Sequence, residues 1–301
     1  MSKFRLKKST IGRIRLRVVR AGFRAAEVIA PAIGSKVAAS LWFKTPRQPP
    51  AVAVPDGGVA FEVESMGSIV RGTHWGSGPV VYLLHGWGGR GDQLASFVEP
   101  LRATGHRVVM FDALSHGSSE PGPSGPGRAH AVEFGRALDD VAARFGPARA
   151  VVAHSMGSVP VLLALRDGWI GVDRLVFISP MNDLATYFDR FGATVGFGPR
   201  IRRGLDDQTR RRTGYPVDEF ELPRLMAELD ERPPTLFVHD RGDRETSHAA
   251  SAAVAEGMAG ASMLSTDGLG HNRILRNAEV VDAAVRYVRA AADPDGREYA
   301  A

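Results

Sequence analysis

The chain has 301 residues and a formal net charge of +5, with 44% hydrophobic and 24% charged residues. This balance is typical of globular proteins and excludes a disordered or fibrous chain, and the length allows one large α/β domain or two smaller domains. The chain has no cysteine, which excludes a disulfide framework, a thiolate nucleophile and a metal site bound through cysteine.

The positive charge is concentrated at the N-terminus. Nine Lys and Arg residues fall in the first 24 positions, and the first acidic residue is Glu27. Without these nine charges the net charge of +5 becomes −4, so the rest of the chain is mildly acidic. The charge pattern therefore does not predict a nucleic-acid-binding surface.

Residues 1–44 are predicted to form a basic amphipathic helical leader, whose amphipathic helix ends near Pro31. Its apolar positions are Ile11, Ile14, Val18, Ala21, Ala25 and Ile29, and Arg13, Arg17, Arg20 and Arg24 lie on another side. Such a helix can lie on an anionic membrane or pack its apolar stripe on the protein's own body, and the sequence leaves both open. No apolar run suffices for a signal peptide or a transmembrane helix. We therefore expect a cytoplasmic protein, with peripheral contact to the inner face of the membrane as an option.

Residues 45–58 are rich in Pro, Val and Gly and predict a linker. The chain then alternates between segments with strand patterns and segments with helix patterns. The predicted strands are 61–63, 71–75, 79–85, 106–112, 148–154, 174–179, 235–239 and 262–266, and the predicted helices are 93–103, 131–145, 156–166, 248–257 and 278–292. This alternation predicts an α/β fold, with a mostly parallel central sheet covered by helices on both faces.

The predicted α/β core comprises residues 59–180 and 233–301. No strand pattern occurs over residues 181–232, which predicts a small helical cap or lid inserted after the sixth strand. The lid contains enough aromatic surface for an apolar acyl chain, and a run of arginines. The aromatic residues are Tyr187, Phe188, Phe191, Phe197 and Tyr215.

A glycine-rich turn follows the third strand. Residues 86–91 (GWGGRG) fit the pattern G-x-G-x-x-G, and Asp112 lies 21 residues past Gly91, at the end of the next strand. A dinucleotide-binding fold places its phosphate-binding turn and its ribose-binding acid in this way. The turn therefore keeps open a nicotinamide-dependent oxidoreductase as an alternative function.

A second turn favours different chemistry. Ser155 lies between a predicted strand and a predicted helix, with Ala153 and Gly157 two residues away on either side. A nucleophile projected from a sharp strand-to-helix turn requires small neighbours at these positions, because strand and helix nearly touch there. A dinucleotide-binding domain does not require a serine at such a turn.

These turns resemble the α/β-hydrolase family, in its bacterial serine esterase and lipase branch. The turn at 85–89 (HGWGG) resembles the family's oxyanion-hole loop, and the turn at 112–119 matches its D-x-x-x-H-G-x-S pattern. The resemblance covers the chain from about Phe61 to the last helix. Ala153 replaces the first glycine of the usual G-x-S-x-G pattern, which the same steric argument tolerates.

A serine nucleophile needs a base within hydrogen-bonding reach and a third group that orients the base. The resemblance implies the order Ser, acid, His along the chain. His271 lies in a glycine-rich loop before the last helix and is the predicted base. The resemblance favours Asp243 as the acid, and Asp240 and Asp183 remain as alternatives.

The resemblance also implies that the backbone N–H groups of Trp87 and Met156 form an oxyanion hole. Five further residues are predicted to support the site without transferring protons, and these are His85, Gly86, Ala153, His154 and Gly157. No histidine or acidic cluster has metal-ligand spacing, so neither a metal nor another cofactor is predicted.

The sequence thus predicts a serine hydrolase that cleaves carboxylic esters through an acyl-enzyme intermediate. The expected partner is a small-molecule or lipid ester, and no nucleic acid is expected. The oxidoreductase and a non-catalytic binding protein of the same fold remain as alternatives. The sequence does not predict the oligomeric state.

Overall fold

The computed structural model describes residues 8–290, with side chains described from residue 15 onward. The chain forms two compact units. One consists of residues 8–44 and Asp183–Phe220, and the other consists of Thr45–Asn182 and residues 221–290. We call these the helical unit and the sheet unit.

The sheet unit contains eight strands and seven α-helices within the described residues. The strands are β1 (Val59–Ser65), β2 (Ser68–Trp75), β3 (Val80–Leu84), β4 (Arg107–Asp112), β5 (Ala148–His154), β6 (Leu175–Ile178), β7 (Thr235–Asp240) and β8 (Ala261–Thr266). The helices of the chain are α1 (Lys8–Ile29), α2 (Pro31–Trp42), α3 (Val98–Ala103), α4 (Ala131–Phe145), α5 (Ser158–Arg166), α6 (Leu184–Val195), α7 (Pro199–Thr213), α8 (Leu222–Ala227), α9 (His248–Gly257), α10 (Gly270–Arg273) and α11 (Ala278–Arg289). Of these, α1, α2, α6 and α7 belong to the helical unit.

The strands form one sheet in the order β1-β2-β4-β3-β5-β6-β7-β8. The pairs β1–β2 and β2–β4 are antiparallel, and the other five pairs are parallel. The predicted α/β fold with a mostly parallel central sheet is therefore confirmed. Parallel strands need crossover connections, and these connections carry the helices that cover the sheet.

The core follows from the apolar runs of the inner strands. All five residues of β3 are buried, which is what a strand covered on both faces requires. Val81 and Leu83 of β3 join a cluster with Phe97, Leu101 of α3 and Val285 of α11. Packing on both faces fixes where each strand ends, and the loops at these ends carry the predicted functional residues.

Most predicted elements lie within a few residues of the observed ones, and four differences are informative. The predicted helix 93–103 begins as a 3₁₀ turn at Gly91–Phe97, and the helix predicted from residue 156 begins as a 3₁₀ turn at Ser155–Gly157. Helices α2 and α10 have no counterpart among the predicted elements. Pro31 not only follows the end of α1 but also opens α2, where proline is favourable because the first helical N–H needs no partner.

In the helical unit, the leader packs against part of the insert between β6 and β7. The ring of Trp42 lies 4.6 Å from that of Phe188, and the ring of Phe23 lies 5.6 Å from that of Phe197. Helices α2 and α7 approach closely at Gly34. A Cβ added there would overlap the Ile201 side chain, at 2.4 Å. Two aromatic residues of the predicted lid are therefore used in packing against the leader.

A reciprocal clasp joins α1 to α7. The Glu27 carboxylate accepts hydrogen bonds from the backbone N–H groups of Gly198, Arg200 and Ile201, at 2.7–3.1 Å. In return the Arg200 guanidinium donates to the carbonyl oxygens of Glu27 and Val28, both at 3.1 Å. Each helix end thus receives the partner that its unpaired backbone groups need.

The predicted lid (181–232) divides between the two units, since Asp183–Phe220 joins the leader and residues 221–232 join the sheet unit. Within the sheet unit, the Leu222 N–H donates to the carbonyl oxygen of Asn182 at 2.9 Å, so the insert leaves and re-enters at one point. Between residues 8 and 290, no helix combines the length and the hydropathy needed to cross a membrane. The predicted side-chain positions Ile11, Arg13 and Ile14 lie outside the residues whose side chains are described.

Candidate active site

Ser155 occupies the sharp turn between β5 and the following 3₁₀ turn. Its φ is +54°, in the left-handed region that L-residues other than glycine rarely adopt. The side chain is half-buried, so the hydroxyl is held at a strained turn and remains accessible.

The neighbours of Ser155 leave no space for larger side chains. A Cβ added at Gly157 would lie 2.7 Å from the His85 carbonyl oxygen, and one added at Gly86 would lie 2.9 Å from the Ser155 Cβ. Ala153 is fully buried in β5. This close approach between the ends of β3 and β5 explains the small residues that the sequence places here.

The structure brings Ser155, His271 and Asp243 together. The His271 Nε2 lies 3.0 Å from the Ser155 Oγ, and the His271 Nδ1 lies 2.8 Å from the Asp243 Oδ2. His271 is the second residue of helix α10, which follows β8, and Asp243 follows β7. Because β5, β7 and β8 are parallel, their carboxyl ends lie at the same edge of the sheet.

Asp243 is held by a dense set of donors. Its Oδ1 accepts from the N–H groups of Glu245 (2.8 Å) and Thr246 (3.1 Å), and its Oδ2 accepts from the Thr246 hydroxyl (3.0 Å). Burial of this carboxylate raises its pKa, but hydrogen bonds from His239 and His271 and from the Glu245 N–H outweigh burial and lower the pKa of Asp243 far below its ordinary value. The carboxylate stays ionised and orients His271.

The other two candidate acids have different partners. Asp240 is buried and accepts from the Gly242 N–H (2.9 Å), the Thr266 hydroxyl (2.9 Å) and the Leu269 N–H (2.8 Å). It therefore ties the end of β7 to the loop that carries His271. Asp183 caps helix α6 by accepting from the N–H and the hydroxyl of Thr186.

Two histidines support the glycine-rich turn. The Nε2 of His85 accepts from the Ala113 N–H at 3.0 Å, and the Nε2 of His116 accepts from the Gly88 N–H at 3.1 Å. Each Nδ1 lies within 3.0 Å of a backbone carbonyl oxygen, so both rings are held as neutral Nδ1–H tautomers. Burial lowers the pKa of both histidines, that of His116 to about 3.

His154, the last residue of β5, supports the base. Its Nε2 donates to the carbonyl oxygen of His271 at 2.9 Å, and the two rings lie 4.7 Å apart. Burial and the nearby His271 lower the pKa of His154 to about 3, so it remains neutral. Its hydrogen bonds and its pKa fit a residue that positions the loop of His271.

The two predicted oxyanion donors lie on either side of the close approach between β3 and β5. Met156 is the second residue of its 3₁₀ turn, where a backbone N–H has no acceptor within the helix. Trp87 is a central residue of the tight turn closed by the hydrogen bond from the Gly89 N–H to the Gly86 carbonyl oxygen. The hydrogen bond that closes this turn does not involve the N–H of Trp87.

The glycine-rich turn is unsuited to a pyrophosphate. A Cβ added at Gly88 would lie 2.2 Å from Pro46, so the linker already covers this glycine. Asp112 accepts from the Gly91 N–H and from both the N–H and the hydroxyl of Ser118, at 2.8–3.0 Å. The acid and the glycine that resembled a ribose and phosphate site are therefore bonded to each other.

Sequence reasoning gave no role to two residues beside Asp243. The Thr246 Oγ1 lies 3.0 Å from the Asp243 Oδ2, 3.1 Å from the His239 Nε2 and 3.4 Å from the His271 Nδ1. His239 is fully buried, and its Nε2 lies 3.4 Å from the Asp243 Oδ2. The D-x-x-T spacing from Asp243 to Thr246 is a turn signal that could have pointed to Thr246. The contact of His239 depends on the path of the chain after β7 and has no local signal.

Comparison with known proteins identifies the family of the chain. The model of a family described as "Alpha/beta hydrolase family" matches residues 81–283. The chain belongs to this family. No curated protein sequence matches the chain.

Several solved structures resemble this hydrolase in fold. A thioesterase domain from the curacin biosynthetic pathway is 17% identical, with a TM-score of 0.57 over 78% of this chain and 100% of the other. A serine hydrolase involved in carbazole degradation is 16% identical, with a TM-score of 0.57 over 77% of this chain and 99% of the other. A membrane phospholipase A is 18% identical, with a TM-score of 0.59 over 95% of this chain and 100% of the other.

Among the described residues of the hydrolase, no group of three or more His, Asp or Glu side chains is arranged to hold a metal ion.

Proposed function

We propose that this chain is a serine hydrolase of carboxylic esters, with Ser155, His271 and Asp243 as its catalytic triad. The observation that carries the proposal is the continuous line of contacts from the Ser155 Oγ through both ring nitrogens of His271 to the Asp243 Oδ2. A serine at a strained turn, a histidine within hydrogen-bonding reach and a buried carboxylate behind it are the parts that acyl transfer needs.

In the proposed mechanism, His271 takes the proton of Ser155 through Nε2 as the serine oxygen attacks the acyl carbonyl carbon. Asp243 holds the tautomer with hydrogen on Nδ1 and stabilises the imidazolium that forms. The N–H groups of Trp87 and Met156 stabilise the oxyanion, and removing one such donor typically lowers turnover by ~10²–10³-fold. His271 then protonates the leaving alcohol, and water repeats the cycle on the acyl-enzyme.

The neutral state of His85, His116 and His154 supports this assignment of roles. All three are buried, bonded to backbone groups, and have lowered pKa values. None of these three histidines is therefore suited to act as a second general base, and we assign the proton transfer to His271.

The substrate class we propose includes lipid esters. The similarity to a membrane phospholipase A covers 95% of this chain, so it includes part of the 44-residue leader. This supports a lipid-like acyl ester over the acyl groups of the other similar structures. Hydrolysis of a panel of p-nitrophenyl esters of increasing chain length, with thioester and anilide analogues, tests the substrate class. A thioester or anilide preferred over every ester would contradict it.

The central test is covalent labelling by a fluorophosphonate probe together with p-nitrophenyl ester hydrolysis. We expect both in the wild type and neither in Ser155→Ala. Ser124→Ala, which removes a loop serine outside the site, is the matched control and should retain both. Labelling that survives in Ser155→Ala would overturn the assignment, and so would a wild type that neither labels nor hydrolyses any ester of the panel.

A further inference from the structure

The apolar stripe of the leader faces solvent. Val18 and Ile29 at the two ends of the described stripe are 68% and 81% exposed, and Ala21 and Ala25 between them are exposed as well. Helix α1 packs against the insert through a different side, where Phe23 is buried. The packing of the leader in its own unit therefore leaves the stripe uncovered.

Helix α2 presents a second apolar row. Ile33, Val37 and Leu41 are spaced four residues apart, lie on one face, and are 64%, 47% and 46% exposed. The opposite face, which includes Ala38 and Ala39, is buried. Single exposed aliphatic residues are ordinary on protein surfaces, whereas two successive helices that each expose a row of aliphatic residues are not.

Basic side chains border both rows. Arg17 and Arg24 are seven residues apart on one flank of the α1 stripe, Arg15 lies on its other flank, and Lys36 follows Ile33 by three residues on α2. All four side chains are exposed. Residues 1–44 contain eleven basic residues and one acid, Glu27, whose carboxylate is bound by the N-terminus of α7.

We propose that this surface, which we call the leader stripe (Val18, Ala21, Ala25, Val28, Ile29, Ile33, Val37 and Leu41), docks the protein on an anionic lipid bilayer. Aliphatic side chains bordered by cations are what an interfacial helix needs: the apolar face enters the boundary between headgroups and acyl chains, and the cations bind lipid phosphates. Arginine suits this role because its planar guanidinium binds phosphate through two hydrogen bonds.

Charge argues against the other occupants. Two copies that met through the leader stripe would bring together two leaders that each carry ten net positive charges, which opposes association. A nucleic acid would meet aliphatic side chains at the centre of the surface, where base recognition uses polar or aromatic groups. The docking proposal goes beyond the proposed function and uses none of its catalytic residues.

The test is co-sedimentation of the full chain with phosphatidylcholine vesicles that contain phosphatidylglycerol, and with phosphatidylcholine vesicles alone. The stripe variant is Ile29→Glu with Ile33→Glu. The matched control is Val54→Glu with Val59→Glu, which places the same two charges on aliphatic residues that are 41% and 56% exposed outside the leader. Circular dichroism verifies that both variants keep the helical content of the wild type.

We expect the wild type and the control to bind the anionic vesicles, and the stripe variant to bind at least about tenfold more weakly, because burying one aliphatic side chain changes a binding constant by about this factor. Arg17→Gln with Arg24→Gln should weaken binding to anionic vesicles by about fivefold per residue, and added salt should do the same to the wild type. All measurements are repeated in the Ser155→Ala background, so that the result does not depend on catalysis.

The proposal is overturned if the wild type binds neither kind of vesicle, or if the stripe variant binds as well as the control. It is also overturned if sedimentation shows a wild-type dimer that the stripe variant dissociates while vesicle binding is absent, since the stripe is then an interface between copies.

Discussion

Replacing Asp243 and Asp240 in turn by asparagine separates the proposed catalytic acid from its neighbour three residues away. Asparagine has the same shape as aspartate but replaces one acceptor oxygen with an NH₂ donor. The Asp243 Oδ1 faces two backbone N–H donors and its Oδ2 faces His271. In Asp243→Asn the amide oxygen takes the Oδ1 position, since the reverse orientation sets the NH₂ group against both N–H donors.

The NH₂ group then faces the His271 Nδ1 at a separation of about 2.8 Å. Two donors cannot face each other, so the ring takes the tautomer with hydrogen on Nε2, the nitrogen that must accept the Ser155 proton. We expect kcat to fall by ~10⁴-fold with KM nearly unchanged, as removal of the orienting carboxylate does in other serine hydrolases. At ~1.4 kcal/mol per tenfold, this is ~5–6 kcal/mol of transition-state stabilisation.

Asp240→Asn removes a loop restraint and leaves the triad intact. Its Oδ2 accepts from the Thr266 hydroxyl and the Leu269 N–H. The hydroxyl can reorient to accept. The single amide oxygen can serve only one of the two backbone donors, so the N–H of either Gly242 or Leu269 loses its partner, at a cost of about 1–3 kcal/mol. We expect lower stability in urea unfolding and a kcat within about tenfold of the wild type. The assay is steady-state hydrolysis of a p-nitrophenyl ester with urea unfolding of each variant. A thousandfold loss of kcat in Asp240→Asn, with Asp243→Asn near wild type, would refute the assignment.

Three further predictions follow from the contacts of other residues. Thr246→Val should lower kcat by about tenfold without changing KM, because Asp243 loses a hydrogen bond. Thr246→Ser keeps the hydroxyl and should have the kcat of the wild type. Equal losses of kcat in both variants would assign Thr246 a packing role only. Glu27→Gln should lower the melting temperature. Burial raises the pKa of Glu27, but hydrogen bonds from the backbone N–H groups of Arg200, Ile201 and Gly198 outweigh burial and lower it. The stabilisation that Glu27 contributes is therefore present above the ordinary pKa of glutamate and is lost as the pH falls through the lowered value. A variant as stable as the wild type at neutral pH would contradict the clasp. The pKa of His154 is lowered to about 3, so below pH ~6.5 the unfolded chain binds a proton there that the folded chain does not, and stability falls by ~1.4 kcal/mol for each unit by which the pH is lowered between these values. In His154→Gln the slope of the free energy of unfolding against pH should be smaller by this amount. An unchanged slope would refute the prediction.

The sequence could predict the sheet because each inner strand carries its own signal. A strand buried on both faces is apolar where it crosses the core. β3 shows this over its whole length, and β5 shows it over residues 150–153. The turn at Ser155 is equally local, since the small residues Ala153 and Gly157 are required by the approach of β3 and β5.

The local sequence does not identify the acid of the proposed triad. Asp240 and Asp243 lie on the same turn, and both have strongly bonded carboxylates in the structure. Only the path of the loop after β8 places His271 against Asp243 and the Leu269 N–H against Asp240. The roles of Thr246 and His239 depend on the same arrangement, and no sequence pattern contains it.

The sequence by itself determined the charge of the leader, the amphipathic pattern of its first helix and the order of strands and helices, because these depend on residues within a few turns of each other. Only the tertiary structure decided which face of that helix is used. The leader packs through Phe23 and the Glu27 clasp, and the apolar stripe from Val18 to Ile29 stays exposed. Helical periodicity identifies an apolar face, but only the partner supplied by a distant segment determines whether that face is buried.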